Sequence, residues 1–307
     1  MISNSNANMR KGSSRLFRPK RILGDKSVPY LFLFPAMLGI FIFKLYPIIE
    51  ALKESLFAPT FVGAGKKFIG LGNYTTLFLD PQFWNSVKVT LLMNVVINPL
   101  QVVLALLLAL LLNLRLRGIG IFRSVHYVPI AVSVPIASVI WNVMLNQDQG
   151  IINSMLNALG LPQQPFLGSK DQALWSIVGI ATWRGVGYWA IFLLAGLQEV
   201  PKNLYEAAAI DGANIWQRFR NVTYPLIKRP LIFVIVSDTI INFLMFAPMY
   251  LLTRGGPENS TNVLMYESYK SAFVYSDFGR ASALVVILLS IVLLVIAAQF
   301  RLFKADH

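Results

Sequence analysis

Long apolar stretches alternate with short polar segments along almost the whole chain of 307 residues. A helix of about 20 mostly apolar residues, rising about 1.5 Å per residue, is long enough to cross a hydrocarbon core of ~30 Å. Stretches of that length predict membrane-spanning helices over residues 28–50, 87–112, 125–145, 173–197, 230–252 and 281–300. The pattern therefore predicts an all-α integral membrane protein with six transmembrane helices.

The composition supports this prediction. The chain is 56% hydrophobic and 13% charged, with a mean hydropathy of +0.60, whereas a soluble domain carries about 25% charged residues. It has no cysteine and two histidines, His126 and His307. Disulfides, thiolate metal sites and a cysteine nucleophile are thereby excluded. Two histidines are also too few for a zinc site built mainly from histidine ligands. We expect no metal site.

The basic residues are distributed unevenly among the segments that join the predicted helices. Seventeen of the 27 lysines and arginines fall in the N-terminal tail, residues 113–124, residues 198–229 and the C-terminal tail, against seven in the other connections. Because basic residues concentrate on the cytoplasmic side of a membrane, both termini are predicted to be cytoplasmic. The net charge of +13 then reflects topology, and a nucleic-acid partner is not expected.

The N-terminal tail differs in composition from the rest of the chain. Residues 1–27 are rich in serine and asparagine and hold seven basic residues with one acid. Such a segment is too polar to bury a core, so we predict a basic, disordered cytoplasmic tail. Residues 28–307 are predicted to form one transmembrane domain, with a cytoplasmic loop over residues 198–229.

Motifs of enzymes are incomplete in this sequence. The segment most similar to a phosphate-binding loop, residues 60–67, lacks both the first glycine and the Ser or Thr after the lysine. The Gly185-Val-Gly187 and Gly118-Ile-Gly120 pairs lack the third glycine of a dinucleotide site, so helix packing explains them better. His126 has no recognisable catalytic partners. We therefore predict a non-catalytic chain that does not itself hydrolyse ATP.

The loop over residues 198–229 is far longer than a turn between neighbouring helices requires, and its sequence predicts two short helices. Pro201 suits a helix start, and Gly212 suits the end of that first helix. Asn214 and Gln217 have the spacing of a capping box, and apolar residues then follow at helical spacing as far as Pro225. The pair could lie on the membrane surface as an amphipathic hairpin, or provide a docking surface for a cytoplasmic partner.

Polar and ionisable side chains interrupt the fourth and fifth predicted helices. Arg184 and Tyr188 are four residues apart, as are Asp238 and Asn242, so each pair shares a helix face. Counted from the cytoplasmic ends, the four lie ~12 to ~20 Å into the membrane. Charged groups there usually face a water-filled path, and hydroxyl, amide and aromatic groups suit a sugar. The structural alternative is an Arg184–Asp238 ion pair that fixes helix packing.

The second predicted helix carries three amides on one face, Asn94, Asn98 and Gln101. Residues at these spacings face a common neighbour in a helix bundle. We expect them to form hydrogen bonds to another helix, with contact to a solute as the other possibility.

The long loop also resembles a known motif. Glu206-Ala207-Ala208, three residues, Gly212, nine residues and then Val222-Thr-Tyr-Pro225 resemble the EAA loop of binding-protein-dependent ABC importer permeases. Val222 replaces an isoleucine of that pattern, and Tyr224 replaces a leucine.

Further segments resemble the sugar-type branch of the same family, and together they extend the resemblance over nearly all of the chain beyond the tail. They are Gly70-Leu-Gly-Asn73-Tyr74, Phe83-Trp84-Asn85, Arg123 to Pro129, and Leu252-Thr-Arg-Gly-Gly-Pro257 with Thr261 and Tyr266.

The resemblance implies a type I ABC importer permease fold in a prokaryotic cell membrane. Expected partners are a second, homologous permease, two cytoplasmic ATPases that hold ATP and magnesium, and an extracytoplasmic solute-binding protein that delivers a sugar or oligosaccharide. The positions implied to couple to the ATPase are Glu206, Ala207, Ala208, Gly212 and Pro225. In the solute path, Gly185, Tyr188 and Asn242 match polar or small positions of the family, whereas Arg184 and Asp238 are not its usual residue types.

The alternative to an ATP-driven importer is a transporter that works without an ATPase. A secondary transporter driven by an ion gradient needs carboxylates placed for proton or sodium coupling, and Asp238 is the one carboxylate well inside a predicted span. Bound ATPase and a requirement for ATP would distinguish the two functions. The identity of the sugar does not follow from the sequence.

Overall fold

The computed structural model describes residues 28–59, 65–114 and 117–303. The predicted tail over residues 1–27 and most of the segment similar to a phosphate-binding loop lie outside these ranges. The described residues divide into two units, a first up to Glu50 and a second from Ala51 onward. The α-helices in the described part are α1 (Val28–Ile40), α2 (Tyr46–Glu54), α3 (Gly72–Leu79), α4 (Pro81–Leu112), α5 (Ile119–Ala131), α6 (Val134–Met144), α7 (Ile151–Ala158), α8 (Ala173–Gln198), α9 (Lys202–Ile210), α10 (Ile215–Arg218), α11 (Tyr224–Phe243), α12 (Leu264–Tyr269) and α13 (Phe278–Leu302).

Short irregular helical segments and one small sheet complete the described part. Wider, π-type turns occupy Phe41–Leu45, Phe219–Thr223, Met249–Thr253 and Lys270–Val274, and a 3₁₀ turn occupies Phe166–Gly168. Strands β1 (Phe57–Pro59) and β2 (Lys66–Phe68) pair antiparallel, with Phe57 opposite Phe68. The Asn73 amide donates to the carbonyls of Ser55 and Phe57 at 2.8 and 2.9 Å, which ties α3 to this sheet.

Helix α1, the π turn and α2 form one apolar helix from Pro29 to Glu54, most of which belongs to the first unit. None of the described side chains between residues 29 and 50 is buried. An apolar helix with such exposed side chains is suited to lipid or to another subunit.

Three helices of the second unit contain predicted spans. Helices α4, α8 and α13 include residues 87–112, 173–197 and 281–300, and each is long and apolar enough to cross a membrane. Helix α4 starts earlier than predicted, at Pro81, because Asp80 caps it by accepting a hydrogen bond from the Gln82 N–H at 2.8 Å.

The third predicted span, residues 125–145, differs from a single helix. Helices α5 and α6 meet at a bend of 98°. Val132 and Ser133 are extended at the bend, and Pro135 follows at the start of α6, where a missing N–H costs no helical hydrogen bond.

The fifth predicted span, residues 230–252, also differs. Helix α11 begins at Tyr224 and ends at Phe243, and a separate π turn follows only at Met249. By length and composition, the described residues contain four helices able to cross a membrane, or five when the bent pair α5–α6 is counted as one, and α11 is not among them.

Apolar packing in the second unit centres on α4, α8 and α11. Their buried side chains form one cluster, which includes Ala105, Leu193 and Ile227. Helix α5 approaches α8 so closely that a Cβ at Gly187 would lie 2.2 Å from the His126 carbonyl oxygen. Packing therefore explains Gly187, as the sequence predicted. It does not explain Gly118, which precedes α5 with a φ of +81° and has no atom near its Cβ position.

A buried carboxylate organises the end of the second unit where α4 and α13 begin. Glu267 is 1% exposed, and its Oε2 accepts hydrogen bonds from Gln82, Asn262 and Lys270 at 3.1, 2.8 and 3.0 Å. These bonds satisfy a charge that would be costly to bury alone, and they join α12 to α4.

Candidate functional site

A cavity of about 590 Å³ opens within the second unit. Its walls come from α4, α5, α6, α8, α11 and the segment over residues 244–248. All five residues predicted for a solute path line it, namely Arg184, Gly185, Tyr188, Asp238 and Asn242. The i, i+4 spacing places each pair on one face of α8 or α11, and the structure brings the two faces to the same cavity.

Arg184 and Asp238 do not pair with each other, although both line the cavity. The Arg184 Nε–H donates to the Val132 carbonyl at 3.3 Å, at the bend between α5 and α6. The Trp189 indole N–H donates to Asp238 Oδ1 at 2.5 Å. The structural alternative of an Arg184–Asp238 ion pair is therefore not realised in this structure.

Asp238 is almost fully enclosed. Its exposed fraction is 1%, and Oδ2 has no hydrogen-bond partner among the described residues. One carboxylate oxygen is thus hydrogen-bonded, the other is enclosed by protein atoms, and almost none of the carboxylate is exposed in the cavity.

Three amides meet between α4 and α11. The Asn242 amide donates to Asn98 Oδ1 at 2.8 Å and to Gln101 Oε1 at 3.0 Å. The predicted hydrogen bonds between helices are therefore confirmed for Asn98 and Gln101. Gln101 also lines the cavity, so the alternative of contact with a solute stays open for it.

Gly185 makes room for the Gln101 side chain. A Cβ at Gly185 would lie 2.7 Å from Gln101 Nε2, a separation that real Cβ atoms do not reach. The glycine therefore lets a polar side chain of α4 reach the wall formed by α8. The facing pair, an amide on one helix and a glycine on the other, is a tertiary feature that spacing along one helix does not reveal.

Aromatic rings form another part of the wall; sequence reasoning predicted Tyr188 there but missed Trp189 and Phe246. Tyr188 is 37% exposed and packs edge-on against Trp189, with ring centroids 4.7 Å apart. Phe246 lines the cavity and stacks against Tyr250 at 5.4 Å. Such rings can pack against the C–H faces of a sugar.

The predicted two-helix loop is present as α9 and α10. Asn214 and Gln217 form the predicted capping box, with bonds of 2.8 and 2.9 Å. Gly212 lies between the helices with a φ of +74°, a conformation that glycine adopts without strain. The Ala213 N–H donates to the Ala208 carbonyl at 2.9 Å and closes the end of α9.

The second helix of the loop does not end at Pro225, contrary to the prediction. The chain continues from α10 through the π turn Phe219–Thr223 into α11, and Pro225 occupies the first turn of α11. The N–H of Tyr224, the residue before it, donates to the Phe219 carbonyl across the π turn, so the helix continues up to the proline. One nearly continuous helical path therefore connects the loop with Asp238 and Asn242.

A groove of about 600 Å³ lies between the two parts of the loop. Of the residues predicted to couple to an ATPase, Ala207, Ala208 and Pro225 line this groove. Gly212 lies at the turn, and Glu206 is exposed on α9.

The tip of the same loop is apolar and open. Ile210, Ile215 and Trp216 are 87%, 82% and 66% exposed. Large exposed apolar side chains beside a groove are typical of a surface that contacts another protein.

The sequence profile of the family described as binding-protein-dependent transport system inner membrane component matches residues 26–304. The chain is 34% identical over 281 residues to the sn-glycerol-3-phosphate transport system permease protein UgpA of Agrobacterium fabrum, covering 91% of this chain and 96% of UgpA. It is 34% identical to the trehalose/maltose transport system permease protein MalF of Thermococcus litoralis, covering 88% and 91% of the two chains. It is 36% identical to the lactose transport system permease protein LacF of Rhizobium radiobacter, covering 90% and 93%.

The fold resembles that of a solved structure. A chain of a bacterial ABC transporter involved in the import of the acidic polysaccharide alginate matches with a TM-score of 0.76, over 90% of this chain and 95% of that chain. The two sequences are 22% identical, so the likeness concerns the fold.

Proposed function

The chain belongs to the family of binding-protein-dependent transport system inner membrane components, and from this premise we propose that it is the transmembrane subunit of an ATP-driven carbohydrate importer. Its relatives are permease proteins of transport systems, so the chain is a transport subunit and not an enzyme. The observation that carries the proposal is the helical path from the loop to the cavity.

The proposed topology has six crossings of a prokaryotic cell membrane, with both termini in the cytoplasm. The bent pair α5–α6 makes the third crossing, and α11 with the π turn at Met249 makes the fifth. The excess of basic residues in the connections assigned to the cytoplasm supports this orientation. In it, α9 and α10 project into the cytoplasm.

The proposed assembly contains a second, homologous permease, two cytoplasmic ATPases and an extracytoplasmic solute-binding protein. ATP and magnesium are bound by the ATPases, and this chain holds no cofactor. The incomplete phosphate-binding motif of the chain is consistent with a motor on another subunit.

The loop of α9 and α10 is the proposed coupling element. Its groove is lined by Ala207, Ala208 and Pro225, and its small side chains leave room for a partner side chain. Tyr205 and Thr223 hydrogen-bond at 3.0 Å and hold α9 against the start of α11. A loop braced in this way moves as a unit with α11, so ATPase closure would open the cavity alternately to the two sides.

The cavity is the proposed solute path for a carbohydrate. The hydroxyl of Tyr188, the amides of Gln101 and Asn242 and the guanidinium of Arg184 can bond to sugar oxygens, while Tyr188 and Phe246 provide ring faces. Cavities of a few hundred Å³ with few polar groups are usual for small solutes.

Co-purification tests the coupling role. Because Gly212 has a φ of +74°, Gly212→Val is expected to distort the turn and reduce the amount of ATPase that co-purifies with the chain by about tenfold, as for a loss of roughly 1–2 kcal/mol. Gly179→Ala is the matched control, because Gly179 is an exposed helical glycine with no atom near its Cβ position. Equal ATPase recovery from both variants would contradict the role of the loop.

A further inference from the structure

Two charged side chains line the cavity, but only one of them presents its charge to the open space. Among the described residues that line it, Arg184 is the one cation and Asp238 the one anion. Asp238 Oδ1 is bonded to Trp189, and Oδ2 is enclosed by protein atoms. The negative charge is therefore turned away from the cavity, and the charge that remains accessible is positive.

Arg184 has donors to spare. Its Nε–H is directed to the Val132 carbonyl at 3.3 Å, and within the described part of the chain its terminal nitrogens have no carboxylate partner. These nitrogens are not among the enclosed atoms without partners, and Arg184 lines the cavity. A guanidinium presents two parallel N–H groups that match the oxygens of a carboxylate or phosphate.

Gln101 adds a second donor with a fixed direction. Its side chain is 2% exposed, and its Oε1 accepts from the Asn242 amide at 3.0 Å. This bond turns the amide nitrogen Nε2 toward Gly185, the residue after Arg184 on the cavity wall. Nε2 donates no hydrogen bond within the described structure and is not enclosed. Gln101 is thus a largely buried side chain on the cavity wall, and its amide nitrogen has a free N–H donor.

From these contacts we propose that Gln101 and Arg184 form a subsite that binds an anionic group of the solute, a carboxylate or a phosphate, with Asn242 as the residue that positions Gln101. The inference rests on the proposed function, because the solute must pass through this cavity. It narrows the solute from carbohydrates in general to acidic carbohydrates, such as uronates and sugar phosphates.

Charge balance favours an anion over a neutral sugar. A hydroxyl can accept a hydrogen bond from Arg184, but it leaves the guanidinium charge uncompensated in a low-dielectric site. A carboxylate or phosphate compensates the charge and accepts from both donors. Hydrogen bonds to charged groups are stronger than those between neutral groups.

Binding of matched probes tests the subsite. We would titrate the chain, purified in nanodiscs with its co-purifying subunits, with D-glucose, D-glucuronate, D-glucose 6-phosphate and inorganic phosphate, and follow tryptophan fluorescence, since Trp189 lines the cavity. At least one acidic sugar is expected to bind about 10- to 100-fold more tightly than glucose, as for one charged hydrogen-bonding partner. Glucuronate and glucose 6-phosphate distinguish a carboxylate from a phosphate as the group recognised.

Two variants and a control make the assignment specific. Arg184→Gln and Gln101→Met are each expected to reduce the preference for the acidic sugar over glucose by about tenfold, while Arg184→Lys retains part of it. Gln299→Met is the matched control, because Gln299 also donates to α11, at 2.7 Å to Thr239, but does not line the cavity. It is expected to leave the preference unchanged.

Equal affinity for glucose and both acidic sugars, failure of every anion to bind, or an unchanged preference in Arg184→Gln would each overturn the subsite. ATP-dependent uptake of a neutral sugar by the same assembly would leave the proposed function standing while removing this inference. Absence of any ATP-dependent uptake, together with preferential binding of an acidic sugar, would contradict the proposed function and leave the subsite standing.

Discussion

Asp80 and Arg280 form an ion pair between the N-cap of α4 and the first turn of α13. Arg280 Nη2 lies 2.5 Å from Asp80 Oδ2, and the other carboxylate oxygen accepts from the Gln82 N–H. Burial would raise the pKa of Asp80, but the hydrogen bond and charge of Arg280 together with backbone N–H groups hold it below 3.8. The charged form is therefore favoured in the folded state.

This pair gives the stability a pH dependence. A carboxylate with a lowered pKa stabilises the folded state above its ordinary pKa, and the contribution is lost as the pH falls through the lowered value. Asp80→Asn is expected to lower the free energy of unfolding by about 1 kcal/mol at neutral pH. The difference from the wild type should shrink as the pH falls below 3.8, as measured by thermal unfolding in detergent. A difference that stays the same as the pH is lowered would contradict the ion-pair explanation.

Some residues of the cavity could be predicted from the sequence and others could not. Arg184, Tyr188, Asp238 and Asn242 stood out because polar groups inside apolar helices are costly and share faces at a spacing of four. The partners of Arg184 and Asp238 were not predictable, because they depend on the bend at Val132 and on the rotation of α8. For Gln101 the sequence favoured a helix contact over contact with a solute, and it did not show that both occur together, since that requires Gly185 opposite.

At the scale of elements, the contact between α5 and α8 depends on a missing side chain. A Cβ at Gly187 would lie 2.2 Å from the carbonyl oxygen of His126, and that backbone atom cannot move without shifting α5. Small residues allow such close approach in membrane helices.

Gly187→Ala is therefore expected to separate α5 from α8 and to lower the free energy of unfolding by about 1–3 kcal/mol. Thermal unfolding of the purified chain measures the effect. Gly179→Ala on the same helix has open space at its Cβ position and should leave stability unchanged or slightly higher. Equal stability of the two variants would show that the helices adjust without cost.

The interrupted helices show the limit of hydropathy patterns. Residues 125–145 and 230–252 are apolar throughout most of their lengths, and average hydropathy is the same for a straight helix and a broken one. The breaks lie at Val132–Ser133, where the backbone is extended, and after Phe243, where Leu244 leaves the helical conformation. The capping box at Asn214 and the stop at Gly212 were predictable, because those rules depend on local sequence alone.

At the scale of the whole molecule, the long loop and the cavity are parts of one mechanism in the proposed importer. Helix α8 ends next to α9, and α11 continues from α10 through a π turn. The apolar cluster of α4, α8 and α11 fills the space between them. A displacement of the loop would therefore reach Tyr188 and Asn242 through packed helices rather than through flexible connections.

Uptake by the reconstituted assembly shows whether the chain belongs to an ATP-driven importer. The chain, reconstituted in proteoliposomes with its co-purifying subunits and a solute-binding protein, is supplied with a labelled carbohydrate, and uptake is compared with ATP, with a non-hydrolysable ATP analogue and with an imposed proton or sodium gradient. We predict uptake with ATP alone, and its loss in Gly212→Val but not in Gly179→Ala. Uptake driven by the ion gradient without ATP would contradict the account and indicate a secondary transporter.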